Sequence, residues 1–284
     1  MQIKKVAILG SGNIGCDLLV KCLKEENLEV VSFSGRHASS KGLNFARSLG
    51  VPTSDRSIDG IINDFDKPEI LIDATSARHH PINYKIAKKY GIKIIDMTPA
   101  KLGISCCPVV NLKSCLKDDN INMISCGGQA AMPLIYAIKK ENQNLNYVEA
   151  VSTISSASAG PATRKNISEY ITSTEKAISQ LLKIKDVKVM LNITPALPPI
   201  EMKTSILLRT KDLDNIDKTW DQIQIISKEA RKYISGYKNT LSLKSVGSKS
   251  ICQIKVHGSG DYLPKYAGNL DIINCAAIEV IRNL

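Results

Sequence analysis

The sequence predicts an α/β protein: a doubly wound parallel sheet followed by an α+β half. Three observations carry this. Short, continuous apolar runs alternate with helical patterns through the first 126 residues. The first of these runs ends in a glycine-rich turn that opens a helix. Beyond residue 126 the pattern changes to fewer, longer β-rich segments with helices between them.

Taken in order, residues 4–10 (KKVAILG) form an apolar strand closed by glycine, and residues 13–26 have helical spacing. Residues 28–34 are β-rich, and 39–50 read as a helix ended by Gly50. A buried strand at 69–75, a helix at 80–91 ended by Gly91, and strands at 92–98 and 121–125 complete the first half. Continuous apolar strands separated by helices belong to a parallel sheet covered on both faces. In the second half, strands are expected at 146–158, 187–196, 201–210 and 250–260, with helices at about 166–183 and 214–236. A last helical pattern covers 266–284. The expected division is 1–126, 127–265 and the closing helix 266–284, with no internal repeat and no low-complexity linker.

Composition narrows the function classes. The 284 residues are 43% hydrophobic and 23% charged, the balance of an ordinary globular protein. No apolar run approaches the roughly 18 residues of a membrane span, and the N-terminus enters a strand without a signal-peptide pattern. The expected compartment is the cytoplasm, where eight cysteines mean free thiols. No CxxC occurs, and the four histidines have no zinc-site spacing, so no metal is expected. The net charge is +11, but the basic residues are spread along the chain without interleaved aromatics. That is a lysine-rich solvated surface and not a nucleic-acid footprint.

The turn after the first strand, LGSGNIG, holds Gly10, Gly12 and Gly15 as G-x-G-x-x-G. Between strand and helix, these glycines permit a tight turn and close approach of a pyrophosphate to the free N–H groups of a helix N-terminus. A dinucleotide is the expected ligand. After the second strand the sequence is SFSGRHASSKG, with no carboxylate to bind a ribose 2′-hydroxyl. Arg36, with nearby serines and Lys41, suits a 2′-phosphate. NAD is the expected cofactor, with NADP admitted by Arg36.

Cys126 lies between a predicted strand and a helical pattern, in NMISCGGQAAMPL. A thiol at a helix N-terminus is expected to ionise more easily, and thiolate forms thioesters readily. Gly127 and Gly128 would give access and backbone N–H groups for an oxyanion. The other seven cysteines read as core or surface.

Six segments occur in one order: VAILGSGNIGCDL, IDATSARHH, IIDMTPAKLGISCCPVVNL, NMISCGGQAAMPL, SASAGPATRKNISEY and DYLPKYAGNLDI. Together they resemble the acylating, CoA-dependent acetaldehyde dehydrogenases, the family paired with 4-hydroxy-2-oxovalerate aldolase. The resemblance covers nearly the whole chain, and CGGQ and YAGNLD are its specific parts. It implies a Rossmann domain, a catalytic and dimerisation domain, and a C-terminal helix returning to the Rossmann domain. It implies Cys126 as the acyl-thioester nucleophile. Ser11, Gly12, Asn13 and Ile14 match the cofactor turn. Ser158, Ala159, Gly160, Pro161, Ala162, Thr163, Arg164, Lys165 and Asn166 match a second cofactor-contacting loop, and Asn269 matches an asparagine near the nicotinamide. The implied reaction is attack of Cys126 on an aldehyde, hydride transfer to NAD(P)+, and transfer of the acyl group to coenzyme A. A small aldehyde, CoA, an aldolase and a second copy of the chain are the implied partners.

Three departures bear on that reaction. PPIEMKTS has Thr204 where the family usually places an aspartate implicated as a base, and Glu201 would face away from position 204 on a strand. Asp261 replaces a histidine in GDYLPKYAGN and is the substitute base to examine. His37 replaces the acidic residue after strand two. Two other readings share the scaffold: a phosphate-dependent semialdehyde dehydrogenase, and a weakened family member with a redox-sensing or scaffold role.

Overall fold

The computed structural model describes residues 3–100 and 102–284, without the side chains of Pro161 and Ala162. The first half follows the expected alternation. Strand β1 (Lys4–Leu9) leads into α1 (Asn13–Leu23), β2 (Leu28–Ser34) and α2 (Lys41–Ser48). Next come β3 (Thr53–Ser54), α3 (Ser57–Asn63), β4 (Ile70–Asp73), α4 (His80–Lys89) and β5 (Lys93–Asp96). The half ends with β6 (Ile104–Ser105), α5 (Pro108–Cys115) and β7 (Asn120–Asn122). The strands pair in parallel in the order β3-β2-β1-β4-β5-β7-β6. The order reverses at β1 and β4, so a crevice opens beyond their C-terminal ends, where doubly wound sheets bind ligands.

Four short elements of this half, β3, α3, β6 and α5, were not expected. Two are strands of two residues and two are helices of seven and eight residues, too short to show a period. The strand expected at 121–125 stops at Asn122, because Ile124 takes a left-handed φ of 63°.

The second half opens with α6 (Cys126–Glu141) and β8 (Tyr147–Ser155). After α7 (Pro161–Lys165) and α8 (Ile167–Leu182) come β9 (Asp186–Thr194), β10 (Met202–Arg209) and α9 (Ile216–Arg231). The chain finishes with β11 (Tyr237–Val246), β12 (Lys249–Val256) and α10 (Gly268–Asn283). The five strands form one mixed sheet in the order β11-β12-β10-β8-β9, with only β8 and β9 parallel. The expected helix at 214–236 stops at Arg231. The edge strand β11 has no counterpart among the expected strands. Its polar sequence, YKNTLSLKSV, is half exposed and lacks the apolar run of a central strand.

Helix α6 is the spine of the second half. Its apolar side chains, among them Met132, Ile135 and Ile138, join Ile206, Ile254 and Val256 of the sheet in one core. Each such burial is worth about 1.5–3 kcal/mol. Helix α10 joins the two halves. It starts so close to the end of β12 that a Cβ on Gly268 would meet the Val256 carbonyl oxygen at 2.1 Å. Its stripe Ile273, Ala276, Ala277, Val280 and Ile281 then buries against the first sheet's core, as helical spacing dictates.

Candidate active site

The three glycines of the first turn do three different things. Gly10 has φ +122°, and a side chain there would meet the Ala74 carbonyl oxygen at 2.5 Å. Gly15 lets α1 press on the strand end, since a Cβ would stand 1.9 Å from the Gly10 carbonyl oxygen. Gly12 is the N-cap of α1, has no side-chain cap, and faces open space where a Cβ would meet nothing within 4 Å. The N–H groups of the first turn of α1 are thus free of a side-chain cap, with open space at Gly12, which suits a pyrophosphate. Ser11 is held by the Ser40 hydroxyl, which donates to it at 2.8 Å.

Cys126 is placed by a strained turn. Ile124 is β-branched and has positive φ, a conformation costing about 1–3 kcal/mol. Neighbouring bonds hold it there. The Ile124 N–H donates to Asn122 Oδ1 at 2.9 Å, the Met123 N–H to the Asp96 carbonyl at 2.9 Å, and Gln129 Nε2 to the Met123 carbonyl at 2.9 Å. Ser125 then caps α6, its Oγ accepting the Gly128 N–H at 2.9 Å. The result puts the Cys126 thiol at the first position of α6, half-buried at the wall of a cavity of about 120 Å³.

That cavity lies between the two halves. Thr75 and Thr98, just beyond β4 and β5, line one side, and Thr163, Asn166 and Tyr170 line another with Asn269 of α10. Among the described residues of its lining, the only ionisable side chains are Cys126 and Tyr170. The cavity also satisfies a test for a carboxamide-bearing ligand. Asn269 is buried, its Nδ2 donates to the Ser158 carbonyl at 3.2 Å, and its Oδ1 has no partner. An orphaned buried acceptor in a cavity wall is where a ligand N–H belongs.

The strand ends are fixed from below. The Thr75 hydroxyl donates to Asp73 Oδ1 at 2.6 Å, and the Thr98 N–H donates to Asp96 Oδ1 at 2.7 Å. His80 spans the two carboxylates, with Nδ1 2.9 Å from Asp73 and Nε2 3.3 Å from Asp96, all three fully buried. Burial raises the Asp96 carboxyl to about 6, with His80 pulling the other way. Burial also opposes the His80 charge, but the Asp73 hydrogen bond and the two carboxylate charges outweigh it and raise that ring.

Burial likewise pushes the Cys126 thiol up to about 11; the Tyr170 hydroxyl and the Gly127 and Cys126 backbone N–H groups pull it down. The expectation of an easily ionised thiol is therefore corrected: the helix N-terminus acts in the expected direction, and desolvation outweighs it.

Comparison with known proteins bears on the whole chain. A family described as "Prokaryotic acetaldehyde dehydrogenase, dimerisation" matches residues 126–264. The acetaldehyde dehydrogenase of Spirochaeta aurantia is 44% identical over 276 residues, covering 97% of this chain and 93% of that one. The chain belongs to the acetaldehyde dehydrogenase family. Relatives of that name from Pectobacterium atrosepticum and Burkholderia thailandensis are 43% and 44% identical, each over 97% of this chain and at least 93% of their own. The fold is also that of a solved aspartate semialdehyde dehydrogenase from Candida albicans, crystallised with NADP. It has a TM-score of 0.71 at 10% identity, with both chains fully covered. The chain is thus an oxidoreductase acting on aldehydes, on a Rossmann-type fold.

The structure brings together some of the residues singled out in the sequence. Cys126, Ile14, Thr163, Asn166 and Asn269 line the cavity. Gly10, Ser11, Gly12, Asn13 and Gly15 form the turn at its edge. Ser158 supports Asn269 from behind, and Arg164 is turned back on its own loop, donating to the Ala159 carbonyl and to Ser156 at 2.8–3.0 Å. Ala159, Gly160 and Lys165 lie outside the cavity lining, and the side chains of Pro161 and Ala162 lie outside the described residues. Arg36 is exposed beyond β2.

Asp261 is not a substitute base. It pairs with Lys24 and, at 2.6 Å, with Lys21, which also holds Asp271 at 2.7 Å. It is committed to joining α1 to the C-terminal segment. Glu201 faces away as expected, pairing with Lys255 at 2.6 Å and His257 at 2.9 Å. Thr204 is fully buried on the inner face of β10, 2.9 Å from Ser152 Oγ. Sequence reasoning overlooked Tyr170, Thr75 and Thr98. Tyr170 follows Asn166 by one helical turn, so the 3.6-residue period carried its signal. The two threonines follow β4 and β5, where doubly wound sheets bind ligands.

Proposed function

We propose that this chain is a CoA-acylating aldehyde dehydrogenase: a short-chain aldehyde, NAD(P)+ and CoA are converted to acyl-CoA and NAD(P)H through a thioester on Cys126. The observation that supports this most is the Cys126 thiol opening into the same small cavity as the unpartnered Asn269 Oδ1. The Gly10–Gly15 turn is the reading for the pyrophosphate and Asn269 for the carboxamide, with Thr163 and Asn166 beside it. The bound nicotinamide supplies the hydride acceptor. Cys126 attacks the aldehyde carbon, carries the acyl group, and releases it to the CoA thiol. The N–H groups at the start of α6 suit the developing oxyanion. Arg36 and the absence of a carboxylate after β2 support use of NADP beside NAD.

Residues 1–126 are read as the nucleotide half, 127–265 as the catalytic and dimerisation half, and 266–284 as the helix joining them. The outer face of the second sheet supports a homodimer contact, since such long strands need cover. An aldolase that hands over the aldehyde is the further partner proposed. Eight free thiols fit a reducing, cytoplasmic setting. No helix among the described residues is long and apolar enough to cross a membrane.

The test is a panel of short aldehydes, each with CoA or inorganic phosphate and with NAD+ or NADP+. Reduction of cofactor that needs aldehyde and CoA together, and that Cys126→Ala abolishes, is the expected result. Wild-type rates in Cys126→Ala, or turnover that needs phosphate and ignores CoA, would overturn the reading.

A further inference from the structure

A nucleophilic thiol held up near 11 needs something that favours its charged form, and the cavity supplies no carboxylate, histidine, lysine or arginine among the described residues of its lining. Among the described residues, one side chain is in hydrogen-bond contact with the sulfur. Tyr170 reaches it from α8, its hydroxyl 3.9 Å from Sγ, with the thiol donating. The contact is built into the backbone: a Cβ on Gly127 would stand 1.9 Å from that hydroxyl and 3.0 Å from Ser152 Oγ. Glycine at 127 therefore leaves the space in which Tyr170 and Ser152 meet the start of α6. Behind them Ser152 bonds Thr204 at 2.9 Å, and all three residues are buried.

We propose that Tyr170 is the donor that stabilises the Cys126 thiolate, and that the Ser152–Thr204 hydroxyl pair orients its phenol from behind. In the resting state the thiol S–H donates to the phenol oxygen. On ionisation the thiol proton leaves to water through the cavity, and the phenol O–H turns to donate to sulfur. The phenol keeps its own proton, because burial and the neighbouring sulfur push its ionisation well above the usual tyrosine range. Ser152 and Ser125 both act on that phenol. With Ser152 donating to Tyr170 and Thr204 to Ser152, three hydroxyl dipoles point toward the negative sulfur, each reinforcing the next. The groups facing Sγ are then Tyr170 from α8 and the backbone N–H groups of Cys126 and Gly127, so the chain's own control of thiol ionisation rests on one phenol and two amides.

This inference rests on Cys126 being the nucleophile, and its test does not require turnover. The intact protein is treated with iodoacetamide at pH 7 to 10, and alkylation of Cys126 is followed by peptide mass spectrometry, since eight thiols compete. Tyr170→Phe keeps the ring and removes the donor. Its rising limb should move up by about one pH unit, so that alkylation at a given pH is about tenfold slower. Turnover kcat should fall while KM for the cofactor holds. Ser152→Ala should shift the limb the same way by less, and it keeps the proposal testable if Tyr170→Phe does not fold. A limb that stays in place or moves down in either folded variant overturns the proposal. Aldehyde- and CoA-dependent turnover surviving in Cys126→Ala would instead overturn the reading of the nucleophile, whatever the alkylation profile shows.

Discussion

The Asn269 side-chain amide donates to the Ser158 carbonyl at 3.2 Å across 111 residues of sequence, joining the start of α10 to the turn after β8. This one bond fixes the asparagine so that its oxygen stays unpartnered at the cavity wall. Asn269→Ala should therefore raise KM for NAD(P)+ by about tenfold, the worth of one buried hydrogen bond. Alkylation of Cys126 should be little changed, because Asn269 is not among the groups that shift the thiol. Steady-state kinetics beside the alkylation profile checks both halves of this prediction.

Gly12 and Gly15 make opposite predictions. A Cβ at Gly12 meets nothing within 4 Å, whereas at Gly15 it meets the Gly10 carbonyl oxygen at 1.9 Å. Gly12→Ala should leave the denaturant midpoint nearly unchanged and weaken cofactor binding at least tenfold, because the methyl occupies the open space before the N-terminus of α1. Gly15→Ala should cost about 1–3 kcal/mol in unfolding, since strand and helix must part. Equilibrium unfolding and cofactor titration of the two variants separate space kept for a ligand from space closed by packing.

The closeness of Gly127 to Tyr170 predicts non-additivity. Gly127→Ala places a methyl on the Tyr170 hydroxyl and should destabilise by about 1–3 kcal/mol. The same change in a Tyr170→Phe background meets Ser152 Oγ at 3.0 Å and the ring carbon at 3.1 Å instead, tighter contacts than usual but far short of the 1.9 Å overlap. The double variant should thus be more stable than the sum of the single effects allows, with a coupling of about 1 kcal/mol or more. Denaturant unfolding of all four proteins measures it.

The buried pair of His80 and Asp96 predicts a pH dependence of stability. The Asp96 carboxyl is raised from 3.8 to about 6 in the folded protein. Between those values the folded state holds a proton the unfolded chain has lost, so this contribution is fully present below 3.8 and lost as pH rises through about 6. His80 is raised above 6.5 and has the same sign, its contribution being lost as pH rises through its folded value. Relative to wild type, Asp96→Asn should gain stability from pH 4 through 6 and level off once His80 has also lost its proton. Thermal unfolding across that range would show it, and a flat difference would refute it.

The sequence carried far into the nucleotide half. Glycines at 10, 12 and 15 after an apolar strand dictate a tight turn and a helix start, because backbone sterics and free N–H groups are local properties. The long strands and helices showed in their periods, and the apolar stripe of α10 marked a helix that must bury one face. What the pattern missed lacks a period: the short elements at 53–63 and 104–115, and the half-exposed edge strand β11.

By itself, the sequence determined an α/β chain with a dinucleotide turn and singled out one of eight cysteines, because each of those signals lies within a few adjacent residues. Tertiary structure decided what surrounds Cys126. Tyr170 and Asn269 come from two distant elements, so their meeting with Cys126 at one cavity depends on packing, and Thr204 stands behind them through Ser152. Packing also decided against Asp261, which two lysines hold elsewhere, and set the thiol at about 11 where its local position at a helix start argued for less. Burial is a property of everything packed around a group, and no short stretch of sequence encodes it.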